Sequence, residues 1–342
     1  MADYTVPSAP VTVAPVTTYD APNFVGELFQ LVPAQTPVLS MSGGLTGGKS
    51  VQAKEFTWQV TDNEAAAVDA QKLEGGDPTD KAIIRQEVKN VVEIHQESVN
   101  ISYSKQAAVS YLGATDVAPS AGPGTGSDVA PARILGNQPV QGEIPLQLAL
   151  KINKIARDVE KSFLYGIYAN PTDNLTARAT RGVLTAVAAG THTQAYATSI
   201  RNSLNLLLAG MYENELTVAP LINPVLVMNG TVKTWLSMEY SNNLGLADRS
   251  RTIGGVNVET IVTDFGTFGV VLDRYMETDQ IALLDMSVIA PCFMPIPGKG
   301  HFFSEPLAKT GAYDRVQLYG EIGIEYGPEQ YHGLITDIVA PA

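Results

Sequence analysis

The chain has 342 residues, of which 17% are charged and 45% hydrophobic, and its formal net charge is −13. That length buries a large core and points to two domains over one. The acidic balance excludes a protein built to grip DNA or an anionic membrane, because both need a basic face that displaces counterions.

Residues 1–22 are Pro, Val, Ala and Thr with almost no charge, the composition of an extended strap lying on something else. The opening MADYTVPSAP lacks the basic start and apolar core of a secretion signal, which predicts a soluble chain made in the cytoplasm. In DAPNFVGELFQLV, Asp20 is a cap and Pro22 stands in the first turn. Phe24, Val25, Leu28, Phe29 and Leu31 follow at helical spacing, so a short helix ends before Pro33.

The stretch GGLTGGKS, Gly43 to Ser50, matches the phosphate-loop pattern G-x-x-x-x-G-K-[ST] at every fixed position. That pattern works only between a buried strand and a helix whose N-terminus meets the phosphates. Upstream, Val38, Leu39 and Met41 are too few for a central parallel strand. Downstream, KEFTWQVT alternates, with Phe56, Trp58 and Val60 on one face, so a strand follows where a helix is required. The glycines read as a turn between two extended segments, and a P-loop enzyme stands as the competing reading.

A second extended segment runs from Ala82 to about Tyr103, with Ile84, Val88, Val91, Val92, Ile94, Val99 and Ile101 among polar residues. With a polar turn containing Gly75, Gly76 and Pro78, the two segments form a long hairpin arm. A lone two-stranded ribbon is barely stable in water, so the arm either folds over its own domain or lies on a neighbouring chain. Residues 113–132 are a Gly/Pro/Ser/Ala loop. EIPLQLALKINKIARDVEKSFLYGIY then carries a stripe of Leu148, Ile152, Ile155, Ala156, Val159, Phe163 and Ile167, with Lys151, Lys154, Arg157, Glu160 and Lys161 off it. About 22 helical residues give roughly 33 Å, enough to span a domain.

From about Ala195 to Met294 helices and strands mix. One helix carries Ile200, Leu204, Leu207 and Met211, a strand covers PVLVMN, and a second helix carries Val232, Trp235 and Leu236. A hairpin then turns around Phe265 to Gly269, in an α+β layer. The tail returns to strands, with Leu318, Ile322 and Ile324 alternating in VQLYGEIGIEYG. No stretch reaches the roughly 18 to 20 apolar residues of a membrane span.

No catalytic or metal-binding constellation emerges. His95, His192, His301 and His332 stand apart without helical i, i+3 or i+4 partners and read as structural. Cys292 lies beside Pro291 and Phe293 with no nearby base, so it reads as a small buried hydrophobe and not as a nucleophile. The sequons at Asn174 and Asn229 mean nothing in a cytosolic chain. Catalytic, cofactor and metal residues are therefore expected to be none.

LVPAQTPVLS, EFTWQVTD and LAKTGAYDRVQLYGEIGIEYGPEQYHGLITDI, in that order over about Phe24 to Ile338, resemble the landmarks of tailed-bacteriophage major capsid proteins of the Hong Kong 97-type fold. The resemblance implies an α+β capsid fold: an N-terminal arm at 1–45, an extended loop at 46–103, and a peripheral domain at 104–194 with a spine helix at 143–168. It further implies an axial domain at 195–294 and return strands of the peripheral domain at 295–342. It implies self-assembly into an icosahedral shell of pentamers and hexamers around double-stranded DNA, with no sequence-specific binding, no cofactor and no membrane. Implied partners are a scaffolding protein, unless a prodomain is removed, a portal protein, and a cement or decoration protein to which no residue is assigned. A tail tube or decoration protein is the neighbouring alternative. The expected inter-subunit contacts are Val11, Val13, Val16, Phe56, Trp58, Val60 and Leu73, against the reading that Trp58 packs within its own chain.

Overall fold

The computed structural model describes residues 35–61, 71, 74–76, 82–107, 143–173, 175–190, 192–213, 221–243, 250–253 and 256–340. The predicted strap, the helix at DAPNFVGELFQLV and the loop at 113–132 lie outside them.

The first described element is α1 (Pro37–Ser42), a helix where an extended segment was expected. Proline at the first turn gives up an amide that a helix leaves unpaired there, and Val38, Leu39 and Met41 are buried. Chain order continues with β1 (Lys49–Ser50), β2 (Glu55–Thr61), β3 (Arg85–Val91) and β4 (Glu93–Ser102). The second extended segment is thus two strands broken at Val92. β3 pairs antiparallel with β2, whereas β4 pairs antiparallel with a strand more than 200 residues later. A short α2 (Tyr103–Ala107) precedes the long α3 (Glu143–Tyr165). Ile155, Val159 and Phe163 of the predicted stripe are buried, but Ile152 is 42% exposed, and Ile167, beyond the helix end, is 75% exposed.

Next come α4 (Val183–Ala188), β5 (Thr193–Ala195), α5 (Ile200–Glu213), β6 (Pro224–Met228), α6 (Gly230–Asn243), β7 (Ser250–Ile253), β8 (Val256–Thr263), β9 (Gly266–Leu272) and β10 (Ile281–Asp285). β11 (Ala290–Phe293), β12 (Phe302–Pro306), β13 (Tyr313–Glu325) and β14 (Gly333–Thr336) close the chain.

Two main sheets result. In the first, the 13-residue β13 carries β4 along one edge and β11 then β12 along the other, and β1 adds to β11 in parallel. The second has seven strands in the order β5-β14-β10-β6-β9-β8-β7. Its central strands, PVLVM and IALLD, are buried at every position, because both faces of the sheet are covered. Leu226, Met228, Ile281 and Leu283 pack with Ile200, Leu204 and Leu207 of α5 and with Val232 and Leu236 of α6. The alternate residues Val225, Val227, Ala282 and Leu284 join Val159, Phe163 and Leu184 of α3 and α4. This second cluster continues to Ile322 and Ile324 of β13, so one apolar body links the two sheets through α3.

Strands cross the expected domain boundaries: β1 and β4, expected in the 46–103 loop, join the first sheet, and two later strands trade sheets. β11, expected with the 195–294 unit, pairs with β13 in the first sheet, and β14, expected among the return strands, sits between β10 and β5 in the second. Both have apolar sequences that suit either sheet, so only the register decides.

Candidate assembly surfaces

Among the described residues the β2–β3 ribbon is buried at its root, near Val91, and exposed towards Thr61 and Arg85. Along β3, Asn90 and Val91 are buried while Arg85, Gln86 and Glu87 are exposed, and the preceding Ile83 and Ile84 are 56% and 74% exposed. The ribbon thus leaves its own core with apolar residues uncovered at the far end. Its root is held by Asn90, which is fully buried. The side-chain amide of Asn90 donates to Ile324 O (2.8 Å) and Arg181 O (3.1 Å), and its oxygen accepts from the amides of Arg181 (2.8 Å) and Val91 (2.9 Å). All four capacities of the side chain are met, which is what burial of an amide requires.

Phe56 and Trp58, expected to face a neighbouring subunit, are engaged within their own chain. Phe56 is buried with Val92 and Cys292 over Gly323, where an added Cβ would lie 2.9 Å from its ring. Trp58 Nε1 donates to Gly327 O at 2.9 Å, and its ring meets Tyr326 edge-on. Because β2 alternates, Val60 shares this face but lies further out, opposite Gln86, and stays half-exposed. Val11, Val13, Val16 and Leu73 lie outside the described residues.

The second sheet exposes apolar side chains at its β8–β9 end. Val262 is 65% exposed, and Phe265, at the turn, contacts Tyr212 of α5 with ring centroids 5.9 Å apart. Leu175 and Ile222 are uncovered elsewhere, at 93% and 78% exposure. Among the described residues no helix is long and apolar enough to cross a membrane.

GGLTGGKS does not form a phosphate cradle. A helix, α1, precedes it and its own last two residues form the strand β1, so no helix N-terminus faces the loop's end. Gly47 and Gly48 serve close backbone approach, whereas Gly44 has open space beside it. Gly48 has φ +143°, and a Cβ there would lie 2.3 Å from Pro291 O, so only glycine lets β1 approach β11. Lys49 Nζ pairs with Glu325 at 2.7 Å.

Chemistry-bearing side chains serve structure. Burial pushes the Cys292 thiol up to about 12, so it stays protonated. His332 is fully buried; its Nδ1 accepts from the Asp285 amide (3.2 Å), which leaves Nε2–H to donate to Tyr326 O (2.7 Å), and burial pushes it down to about 4. Asp285 in turn accepts from the amides of Ile222, Asn223 and Ser287. Glu239 of α6 likewise receives the Ile200 and Arg201 amides at the start of α5. Glu160, expected on the solvent side of α3, is fully buried and accepts from the Val38 and Leu39 amides at 2.8 and 2.7 Å. No group of three or more His, Cys, Asp or Glu able to hold a metal occurs among the described residues.

A family model described as SU10 major capsid protein matches residues 11–339. No curated protein sequence matches the chain. Among solved structures, it resembles the cyanophage A-1(L) capsid asymmetric unit at 10% identity and TM-score 0.59, over 95% of this chain and 99% of that one. It resembles the capsid of the native GTA particle at 13% identity and TM-score 0.56, over 94% and 96%. A third likeness is the holo-SrpI encapsulin complex from Synechococcus elongatus, at 11% identity and TM-score 0.55, over 94% of each chain. These likenesses establish the mixed helix-and-sheet Hong Kong 97-like capsid fold expected from the sequence.

Proposed function

The chain belongs to the SU10 major capsid protein family, and from that premise we propose that its copies close as pentamers and hexamers into the icosahedral head of a tailed bacteriophage. It is a structural shell subunit and its place is the virion. In this reading it catalyses no reaction, is assembled in the host cytoplasm, and encloses double-stranded DNA without reading sequence. An acidic wall, with net charge −13, repels the packaged polyanion and so does not hinder its entry or exit. A scaffolding protein, a portal protein and a cement or decoration protein are the further partners of such a shell.

The observation that carries the reading is the β2–β3 ribbon, rooted by Asn90 and open towards Ile83 and Ile84. A ribbon of two strands gains stability only by lying on another surface, and in a shell that surface is the neighbouring copy. Val60 and the residues beyond it, Leu73 included, are the contacts we assign there, and the strap residues Val11, Val13 and Val16 are assigned a second contact. The first sheet with α3 serves as the peripheral domain. The second sheet serves as the axial domain, its Tyr212–Phe265 end towards the capsomer centre.

Electron microscopy of the purified full chain tests this, with closed polyhedral shells expected. A variant with residues 62–84 replaced by a short Gly-Ser turn should stay folded and form none. Tubes from the wild type, or shells from the shortened variant, would overturn the reading.

A further inference from the structure

Glu160 and Asp273 form a buried carboxyl pair that no shell contact explains. Glu160 stands on α3 and is 0% exposed; Asp273, just after β9, is 2% exposed. The two carboxyls act on each other, Asp273 raising Glu160, and two carboxylates set together in an apolar site are tolerated only when one of them carries a proton. Glu160 also receives the Val38 and Leu39 amides of α1, across more than 120 residues of chain. Asp273 Oδ1 accepts from the Tyr275 amide at 2.8 Å, while the buried Oδ2 has no hydrogen-bond partner among the described residues. Three parts of the molecule therefore meet at this carboxyl pair: the helix at the end of the N-terminal region, the long helix, and the exit of a central strand of the second sheet.

No arginine or lysine forms an ion pair with either carboxyl among the described residues. Two tyrosines face the pair, Tyr165 of α3, which also feels Glu277 and Asp279, and Tyr275 after β9, which also feels Arg157. α1, α4, β6 and the buried part of β10 up to Leu284 bring no charged group. Arg157 bonds the Tyr275 hydroxyl and the Asn153 carbonyl, and Arg274 reaches Gln35. Neither neutralises a second negative charge at the pair.

We propose that the Glu160–Asp273 pair is a proton-dependent latch that fastens α1, and with it the root of the N-terminal arm, to the long helix. With one proton between them, the pair offers an oxygen to each α1 amide and tolerates burial. When that proton leaves to bulk water, two carboxylates face each other in an apolar site, and the strain is relieved by withdrawal of α1 and entry of water. Burial, and then the neighbouring Asp273, push Glu160 up to about 8, and burial pushes Asp273 up as well. The raised group sets the sign: native protein binds more protons than unfolded chain from the ordinary carboxylate range up to about pH 8, so the latch is tight below that window and weakens as pH rises through it.

Hydrogen exchange of the full-length subunit, read by mass spectrometry on peptides covering Pro37–Ser42 and corrected for the intrinsic pH dependence of exchange, tests the latch. Protection of α1 should fall about tenfold between pH 6 and pH 9 while that of β6 and β10 holds, since one unit beyond a titration is a factor of ten. In D273N, Glu160 ionises beside a neutral amide donor, so α1 should stay protected with no pH slope. In E160Q, an amide NH2 replaces one acceptor, so α1 should be unprotected at both pH values. The infrared band of a protonated carboxyl should be present in the wild type at pH 7 and gone at pH 9, a reading that does not depend on any variant folding. Constant α1 protection in the wild type, an unchanged slope in D273N, or absence of that band at pH 7 would overturn the proposal. The measurement is made on the subunit and stands apart from whether shells form.

Discussion

Trp58 and Tyr326 meet edge to face, with ring centroids 5.0 Å apart and planes at 84°, and the indole N–H bonds the carbonyl of Gly327 beside them. One ring from the ribbon and one from the end of β13 thus fix the angle at which the ribbon leaves the body. W58F keeps most of the contact and loses the hydrogen bond, which should cost about 0.5–1.5 kcal/mol. W58A also opens a void under the ribbon and should cost more, roughly 2–4 kcal/mol for this half-buried ring. Denaturant unfolding of the full chain checks both. Equal losses in the two variants would mean that the ring contributes nothing beyond its N–H.

Asn90 sits where the ribbon, β13 and the 178–182 segment come together, and it makes four hydrogen bonds there. N90A leaves two carbonyls and two amides in the interior without partners, at about 1–3 kcal/mol for each group that water does not reach. We expect loss of soluble protein or a fall in thermal midpoint of 10 °C or more, taking roughly 2–4 °C per kcal/mol for a chain of this size. N90D keeps the acceptor for the two amides but turns an oxygen towards Ile324 O and Arg181 O. It should therefore be worse at pH 8 than at pH 5, where the acid can carry a proton, and the ratio of soluble yields at the two pH values reads this.

His332 is held neutral, so it works against acid stability. Its folded value of about 4 lies below the ordinary 6.5, so between those values the unfolded chain binds the extra proton. Stability from this site is therefore complete above pH 6.5 and lost as pH falls towards 4, by roughly 3 kcal/mol over the window. The Glu160–Asp273 pair slopes the opposite way, so the two are separated by variants. H332Q should be less stable at pH 7 yet flatter from pH 6.5 to 4.5 than the wild type, measured by denaturant midpoint. A His332 imidazole, assigned by its absence from the H332Q spectrum, that titrates near 6.5 by NMR would sink the assignment.

The sequence made legible what depends on period. The amphipathic α3, the buried runs PVLVM and IALLD, the hairpin around Phe265 and the alternation of β13 all follow from spacing along one element. What it hid depends on partners far along the chain. Glu160 lies one position past Val159 on the helix, and a charged residue there reads as solvent-facing until the α1 amides more than 120 residues away are in view. Asn90 looks like any polar residue in a strand of alternating pattern. The face of Phe56, Trp58 and Val60 was recognisable as apolar, yet the pattern cannot say whether an apolar face meets its own body or another copy. The structure divides it, with Phe56 and Trp58 inward and Val60 further out.

The Gly43–Ser50 loop gives a prediction in which the structural and nucleotide-binding readings have opposite signs. A phosphate loop depends on its lysine, so replacing Lys49 would abolish nucleotide binding and leave the fold alone. Here Lys49 makes an ion pair with its own side chain 60% exposed, and such pairs are worth about 0–1 kcal/mol. K49A should therefore leave stability within that range, and neither it nor the wild type should bind ATP by calorimetry. Gly48 carries the structural weight: G48A forces a side chain into a left-handed φ, at roughly 1–3 kcal/mol, and drives its Cβ into Pro291 O, 2.3 Å away. The rigid backbone on both sides cannot yield cheaply, so β1 should detach from β11 and Val51 should lose its bond to Phe293 O. A lower thermal midpoint for G48A than for K49A is the expected order, and the reverse order would return the loop to chemistry.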